Sequence, residues 1–126
     1  MQTVASLPVF AVIGIAAGFL GGLMGVGGGL IMVPAMTIIL GMTQKSAQGI
    51  SLAAIAPMAI YSFYRYYSMG HVQIDLKSII ALIVAAIIGA QIGTSLMSSM
   101  SNKSLQLVFG CFIILCGGMI VYRALR

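Results

Sequence analysis

From Gly18 to Pro34 the chain reads Gly-Phe-Leu-Gly-Gly-Leu-Met-Gly-Val-Gly-Gly-Gly-Leu-Ile-Met-Val-Pro, an apolar stretch holding seven of the protein's 16 glycines. Glycine is the poorest ordinary residue for a helix interior and the best one for a tight turn or a close backbone approach. Such a density inside an apolar run therefore marks a deliberate break between two helical pieces. The flanks are hydrophobic enough for a bilayer interior, where irregular backbone is tolerated only if it is buried in protein or lines a wet cavity. The break is thus the expected substrate region of a small membrane transporter.

The surrounding sequence agrees. Of 126 residues, 61% are hydrophobic and only 6% are charged, against roughly 25% charged in a soluble domain. The chain reads as an integral, multi-pass protein of the cell (inner or plasma) membrane. No basic region precedes the first apolar run and equally apolar segments follow it, so a cleavable signal is not expected. The net charge of +5 is spread thinly over segment ends. That pattern fits lipid headgroups and gives no nucleic-acid partner, although Tyr61 to Tyr67, with Arg65 among the aromatics, would also suit base stacking. The single acidic residue, Asp75, and the single histidine, His71, both lie in a loop. Cation-coupled carriers usually need a carboxylate or histidine within the membrane, so an anionic substrate fits better. There is no Ser-His-Asp set, no metal-ligand cluster and no paired carboxylates, so neither an enzyme nor a cofactor is expected. Cys111 and Cys116 sit about 140° apart around a helix, unsuited to a disulfide or a metal pair, and read as packing residues.

Taken in order, residues 1 to 6 read as short, polar and outside the bilayer. Pro8 fits a first helical turn, and an apolar helix follows to about Met24, with Gly14 and Gly18 at the spacing that lets membrane helices approach closely. A second piece from Gly29 to about Gly41 is only about 18 Å long, short of a hydrocarbon core of roughly 30 Å. The two pieces form either a re-entrant hairpin or the halves of one broken spanning helix. Thr43 to Ser46 supplies capping residues. A third segment, 46 to 67, carries Pro57 as a kink and ends in an aromatic belt. His71 reads as a solvated loop residue, with a pH-sensing gate as the alternative. Asp75 caps a fourth segment to about Ser98, and Ser101 or Asn102 caps a fifth ending at Tyr122 and Arg123. The fold class is all-α: a glycine-broken hairpin or discontinuous helix plus three transmembrane helices, in one domain over residues 1–126.

Several of these residues carry a family resemblance. Gly18-x-x-Gly-Gly-x-x-Gly-x-Gly-Gly-Gly29 with Pro34, then Ala47-Gln-Gly-Ile-Ser-Leu52, Pro57, an aromatic helix end and Gly70-His-Val, resembles one repeat of the sulfite exporter TauE/SafE family. Gly89-Ala-Gln-Ile-Gly93, Gly110 and Gly117-Gly118 are similar to the end of that repeat. Ile50 stands where the family often has threonine. Members usually carry two related halves, and this sequence holds one. The resemblance implies permease activity on small sulfur oxyanions such as sulfite, or on organosulfonates and related carboxylates.

The mechanism follows from helix physics. A half-helix starting near Gly29 aims free N–H groups and its positive dipole end at the membrane interior, a ready anion site without a basic side chain. Gly25, Gly27, Gly28 and Gly29 let substrate oxygens reach the backbone, and Gln48, Ser51, Gln91, Thr94 and Ser95 offer hydroxyls and amides to complete the shell. For each, packing or bonding within its own helix is the ordinary alternative. One repeat has too few helices to enclose a pathway, so the expected partners are the bilayer and a second copy. With a re-entrant hairpin, Lys45 and Lys103 share one side while Arg65, Lys77, Arg123 and Arg126 share the other. So weak a positive-inside bias permits both orientations and an antiparallel homodimer; four crossings would make a parallel one natural. A non-transporting subunit or a half-transporter needing another chain is the second reading, and a multidrug-type cation exporter the third, disfavoured by the missing intramembrane carboxylate.

Overall fold

The computed structural model describes residues 7–25, 27–73 and 75–126; the expectation for residues 1 to 6 lies outside them. It holds five helices, α1 (Leu7–Met24), α2 (Gly29–Ile39), α3 (Gln44–Ser68), α4 (Leu76–Ser99) and α5 (Asn102–Leu125), with no strand among the described residues. The helices α1, α3, α4 and α5 are long and apolar enough to cross a membrane. The 11 residues of α2 rise only about 16 Å and cannot. The chain is a multi-pass helical membrane protein.

Polar brackets set the helix boundaries. Thr43 caps α3, its hydroxyl oxygen accepting from the Ser46 N–H at 3.4 Å. Of the two candidates for α5, Ser101 is the cap, accepting from the Ser104 N–H at 3.2 Å. Asn102 instead ties two helix ends together. Its amide oxygen takes the Lys45 N–H at 3.3 Å, while Lys45 Nζ donates to the Ser98 carbonyl at 3.3 Å. These bonds put the start of α3 and the α4–α5 turn at the same end of the molecule. Asp75 precedes α4 as expected, and its carboxylate accepts from the Ser78 hydroxyl. That bond holds the Asp75 carboxyl below its usual range, against a smaller opposing push from desolvation. Pro57 does not end α3, which runs through it to Ser68.

The glycine run resolves into a fold-back. Ile13 and Ala17 of α1 are buried in one cluster with Met32, Val33 and Met36 of α2 and Ala47 of α3. The backbone of Ala17 lies against Gly28 at the start of α2, and the same cluster carries Ile13, earlier in α1, together with Met36, later in α2. Only helices running side by side in opposite directions bring both pairs together. The two apolar pieces are therefore a hairpin, not collinear halves of one broken helix. The hairpin packs along α3, α2 making the largest interhelical contact with it, and α5 covers a smaller part of α3. At the far end the Tyr66 hydroxyl donates to the Gly22 carbonyl at 2.8 Å, fixing the end of α1 to the end of α3. No residue of α4 is buried, and α5 buries only Leu105.

Candidate functional site

The turn between α1 and α2 depends on glycine at two positions above all. Gly28 is the N-cap of α2 with φ of 72°, a left-handed conformation that costs a side-chain-bearing residue about 1–2 kcal/mol. A Cβ there would also meet the Ala17 carbonyl oxygen at 2.8 Å. A Cβ on Gly21 would sit 2.5 Å from the Gly28 nitrogen, so α1 is notched where the turn lies against it. The Gly28 carbonyl accepts from both the Ile31 and Met32 N–H groups, at 3.1 and 3.0 Å. The N–H groups of the first turn of α2 before Ile31 have no intrahelical acceptor.

Two recesses flank this turn. One, of about 310 Å³, has Gly29, Val33, Gln48, Ser51, Ile55 and Phe109 among its lining residues, and so lies between α2, α3 and α5. The other, also about 310 Å³, is bounded by Gly21, Gly25, Gly27, Ser62, Phe63 and Tyr66. The first end of α2 thus opens between two small, mostly apolar spaces, each with a few polar groups from α3. Ser51 is buried and its hydroxyl donates to the Gln48 carbonyl at 2.8 Å. Its oxygen is left as an acceptor, and the half-buried Gln48 amide is the side-chain donor of that recess.

The proposed site residues therefore divide. Gly29, Gln48 and Ser51 share one recess and Gly25 and Gly27 the other, with Gly28 packed between them against Ala17. Gln91, Thr94 and Ser95 lie on the exposed α4 and line neither recess. Thr94 donates to the Ala90 carbonyl at 2.8 Å and Ser95 to that of Gln91 at 2.8 Å, the bonds to their own helix that hydroxyls in membrane helices commonly make.

Two polar residues of α3 are placed differently from what the sequence suggests. Gln44, read as a surface capping residue, is 4% exposed, and its Nε2 has no hydrogen-bond partner among the described residues. Its spacing to Gln48 and Ser51, four and then three residues, was a usable signal, since it puts all three on one face of α3. Tyr66, read as part of an aromatic belt, is instead turned in to α1, and nothing in the sequence separates it from its exposed neighbours Tyr64 and Tyr67. Cys111 and Cys116 are free thiols.

Comparison with known proteins adds a second line of information. A family model described as "Sulfite exporter TauE/SafE" matches residues 5–126. A protein of Bacillus subtilis named "Probable membrane transporter protein YunE" is 31% identical over 113 residues, covering 90% of this chain and 41% of that protein. A "Probable membrane transporter protein" of Haemophilus influenzae is 33% identical over 79 residues, covering 57% of this chain and 30% of its own length. The chain thus spans less than half the length of these curated relatives. No solved structure matches it.

Proposed function

The chain belongs to the sulfite exporter TauE/SafE family, and from that premise we propose that it is a permease for small anions, sulfur oxyanions such as sulfite or short organosulfonates, in the cell membrane. The observation that carries this reading is the left-handed turn at Gly28. It starts α2 between two recesses, so that N–H groups of its first turn and the positive end of its dipole are available to an anion. Gln48 adds a side-chain donor beside Gly29. Among the described residues no lysine or arginine lines either recess, and backbone and amide donors bind an oxyanion weakly enough for it to leave again, as a carrier requires. Relatives bearing the name of membrane transporters support the same reading.

The working unit in this reading is larger than one copy. Gln91 lies exposed within an apolar helix, and an amide facing lipid without a partner costs a few kcal/mol. Gly89 and Gly93 beside it have open space around them, the small-residue spacing that admits a second helix. We infer that a second copy packs on this face, in antiparallel orientation, and that Gln91, Thr94 and Ser95 complete the pathway only there. The alternative occupant is another chain, which makes this one a half-transporter.

Radiolabelled sulfite, a short sulfonate and a quaternary ammonium cation, presented to liposomes containing only this purified chain, separate these readings. Saturable flux of the anions alone is expected. Cation flux contradicts the anion assignment, and no flux from folded, inserted protein moves the assignment to a half-transporter. For orientation, a single cysteine placed at the C-terminus in a background lacking Cys111 and Cys116 is treated with an impermeant thiol reagent. Labelling from both sides is expected, and labelling from one side only contradicts the antiparallel arrangement.

A further inference from the structure

A third recess, of about 580 Å³, opens at the end of the molecule where α1 and α3 stop, and among its lining residues are Gly22, Tyr61, Ser62, Arg65, Tyr66 and His71. Ser62 and Tyr66 also line the recess at the glycine turn, so the two spaces adjoin. Both helices present their C-terminal, electronegative ends here, which by themselves repel an anion. Those carbonyls are largely engaged. Gly21 accepts from the Gly25 N–H at 2.8 Å and Gly22 from the Tyr66 hydroxyl at 2.8 Å. On α3, Tyr64 accepts from the Ser68 hydroxyl, Arg65 from the Met69 N–H, Tyr66 from the His71 N–H and Tyr67 from the Gly70 N–H, at 2.8 to 3.3 Å.

What the recess presents is therefore donors. Arg65 brings a permanent positive charge, and Tyr61, Ser62 and the His71 ring add hydrogen-bonding groups. The chain's only acidic residue is Asp75, whose carboxylate is taken by the Ser78 hydroxyl, and no ion pair holds Arg65 among the described residues. An exposed guanidinium with no carboxylate partner, set in a concave surface beside hydroxyls, matches an oxyanion in charge and in its planar, forked donor geometry.

We propose that this recess is a capture site for a small oxyanion, with Arg65 as its main ligand and His71 and Tyr61 as secondary ones, feeding the glycine turn. It rests on the anion-permease reading for its role in transport, though not for binding itself. A lipid phosphate carries the same chemistry, so the test separates the two sources.

Sulfite binding to the purified chain in phospholipid-free detergent is measured by calorimetry, and sulfite flux in liposomes, for the parent, Arg65→Gln and Arg65→Lys. The parent is expected to bind saturably. Arg65→Gln should weaken binding about tenfold, the loss of one charge-assisted pair, and raise the half-saturating concentration for flux by a similar factor with the maximal rate little changed. Arg65→Lys should recover part of both. Binding by the parent that Arg65→Gln loses, with no flux from either, supports the capture site while contradicting the permease reading. No binding by the parent, equal affinity in Arg65→Gln, or complete displacement of sulfite by equimolar short-chain phosphatidylglycerol overturns the proposal, the last outcome assigning Arg65 to a lipid headgroup. Retention of parental thermal stability in Arg65→Gln verifies that the folded chain is being compared.

Discussion

Helices α1 and α4 are similarly apolar, with mean hydropathy of 2.1 and 2.2, yet their fates differ. The hairpin region supplies Ile13, Ala17, Met32, Val33, Met36 and Ala47 to one buried cluster, whereas α4 buries nothing. Glycine explains part of the difference. Gly21 and Gly28 touch because neither has a side chain, and that contact draws two helices together. Gly89 and Gly93 have the same freedom with nothing near enough to use it. In lipid, apolar surface alone gives helices no reason to associate, so close packing and polar contacts decide which faces are joined. In the proposed assembly, the small residues and the amide of α4 are where a second chain packs.

The largest expected effect that would break this contrast is Gly28→Ala. Left-handed backbone and the nearby Ala17 carbonyl together cost roughly 3 kcal/mol or more, so the variant should lose its cooperative thermal transition in detergent. A variant that melts like the parent would mean the hairpin is not held as described. Next comes Tyr66→Phe, which removes the bond to Gly22 and should destabilise by about 1 kcal/mol; an unchanged melting temperature would show that the two helix ends are joined by packing alone. On the α4 side Gly89→Ala should do the reverse to a single copy, stabilising the helix by about 0.5–1 kcal/mol, while reducing the mass of the assembly by light scattering. If the mass is unaltered, that face is not where copies meet. The smallest effect belongs to Asp75. Its carboxyl is held low in the folded chain, so its contribution is present above the unfolded value, near 3.8, and is lost as pH falls through the lower folded one. Asp75→Asn should therefore lower stability slightly at neutral pH, where the charged carboxylate contributes, and match the parent once the pH falls below the folded value; equal stability at neutral pH would show that the bond to Ser78 contributes nothing.

Much of the architecture is legible in the sequence. Five apolar pieces, the break after Met24, capping groups within Thr43 to Ser46 and at Ser101 or Asn102, and the short second helix all follow from hydropathy and local capping chemistry. The choice between a fold-back and a broken straight helix is not legible there, because it depends on which surfaces of α1 and α2 meet. That is decided by the fit of Gly28 against Ala17 rather than by any local preference. For the same reason Gln44 resembles a surface residue: its neighbours in sequence are capping groups, and only the approach of other helices buries it. Tyr66 differs from Tyr64 and Tyr67 solely in the direction it faces. Of the proposed ligands, the grouping of Gln48 and Ser51 with Gly29 follows from α2 running back along α3, a relation no spacing within either helix encodes.

The central claim is that an anion is held where α2 begins, with Gln48 beside it. The most direct test is labelled sulfite flux through liposomes carrying the parent chain or Gln48→Leu, a change of similar volume that removes the amide donor. Saturable flux is expected in the parent, with a loss of about tenfold or more in a variant that still folds, as one lost donor to a charged ligand would give. Equal flux in both would contradict the claim and move the anion's path away from the glycine turn.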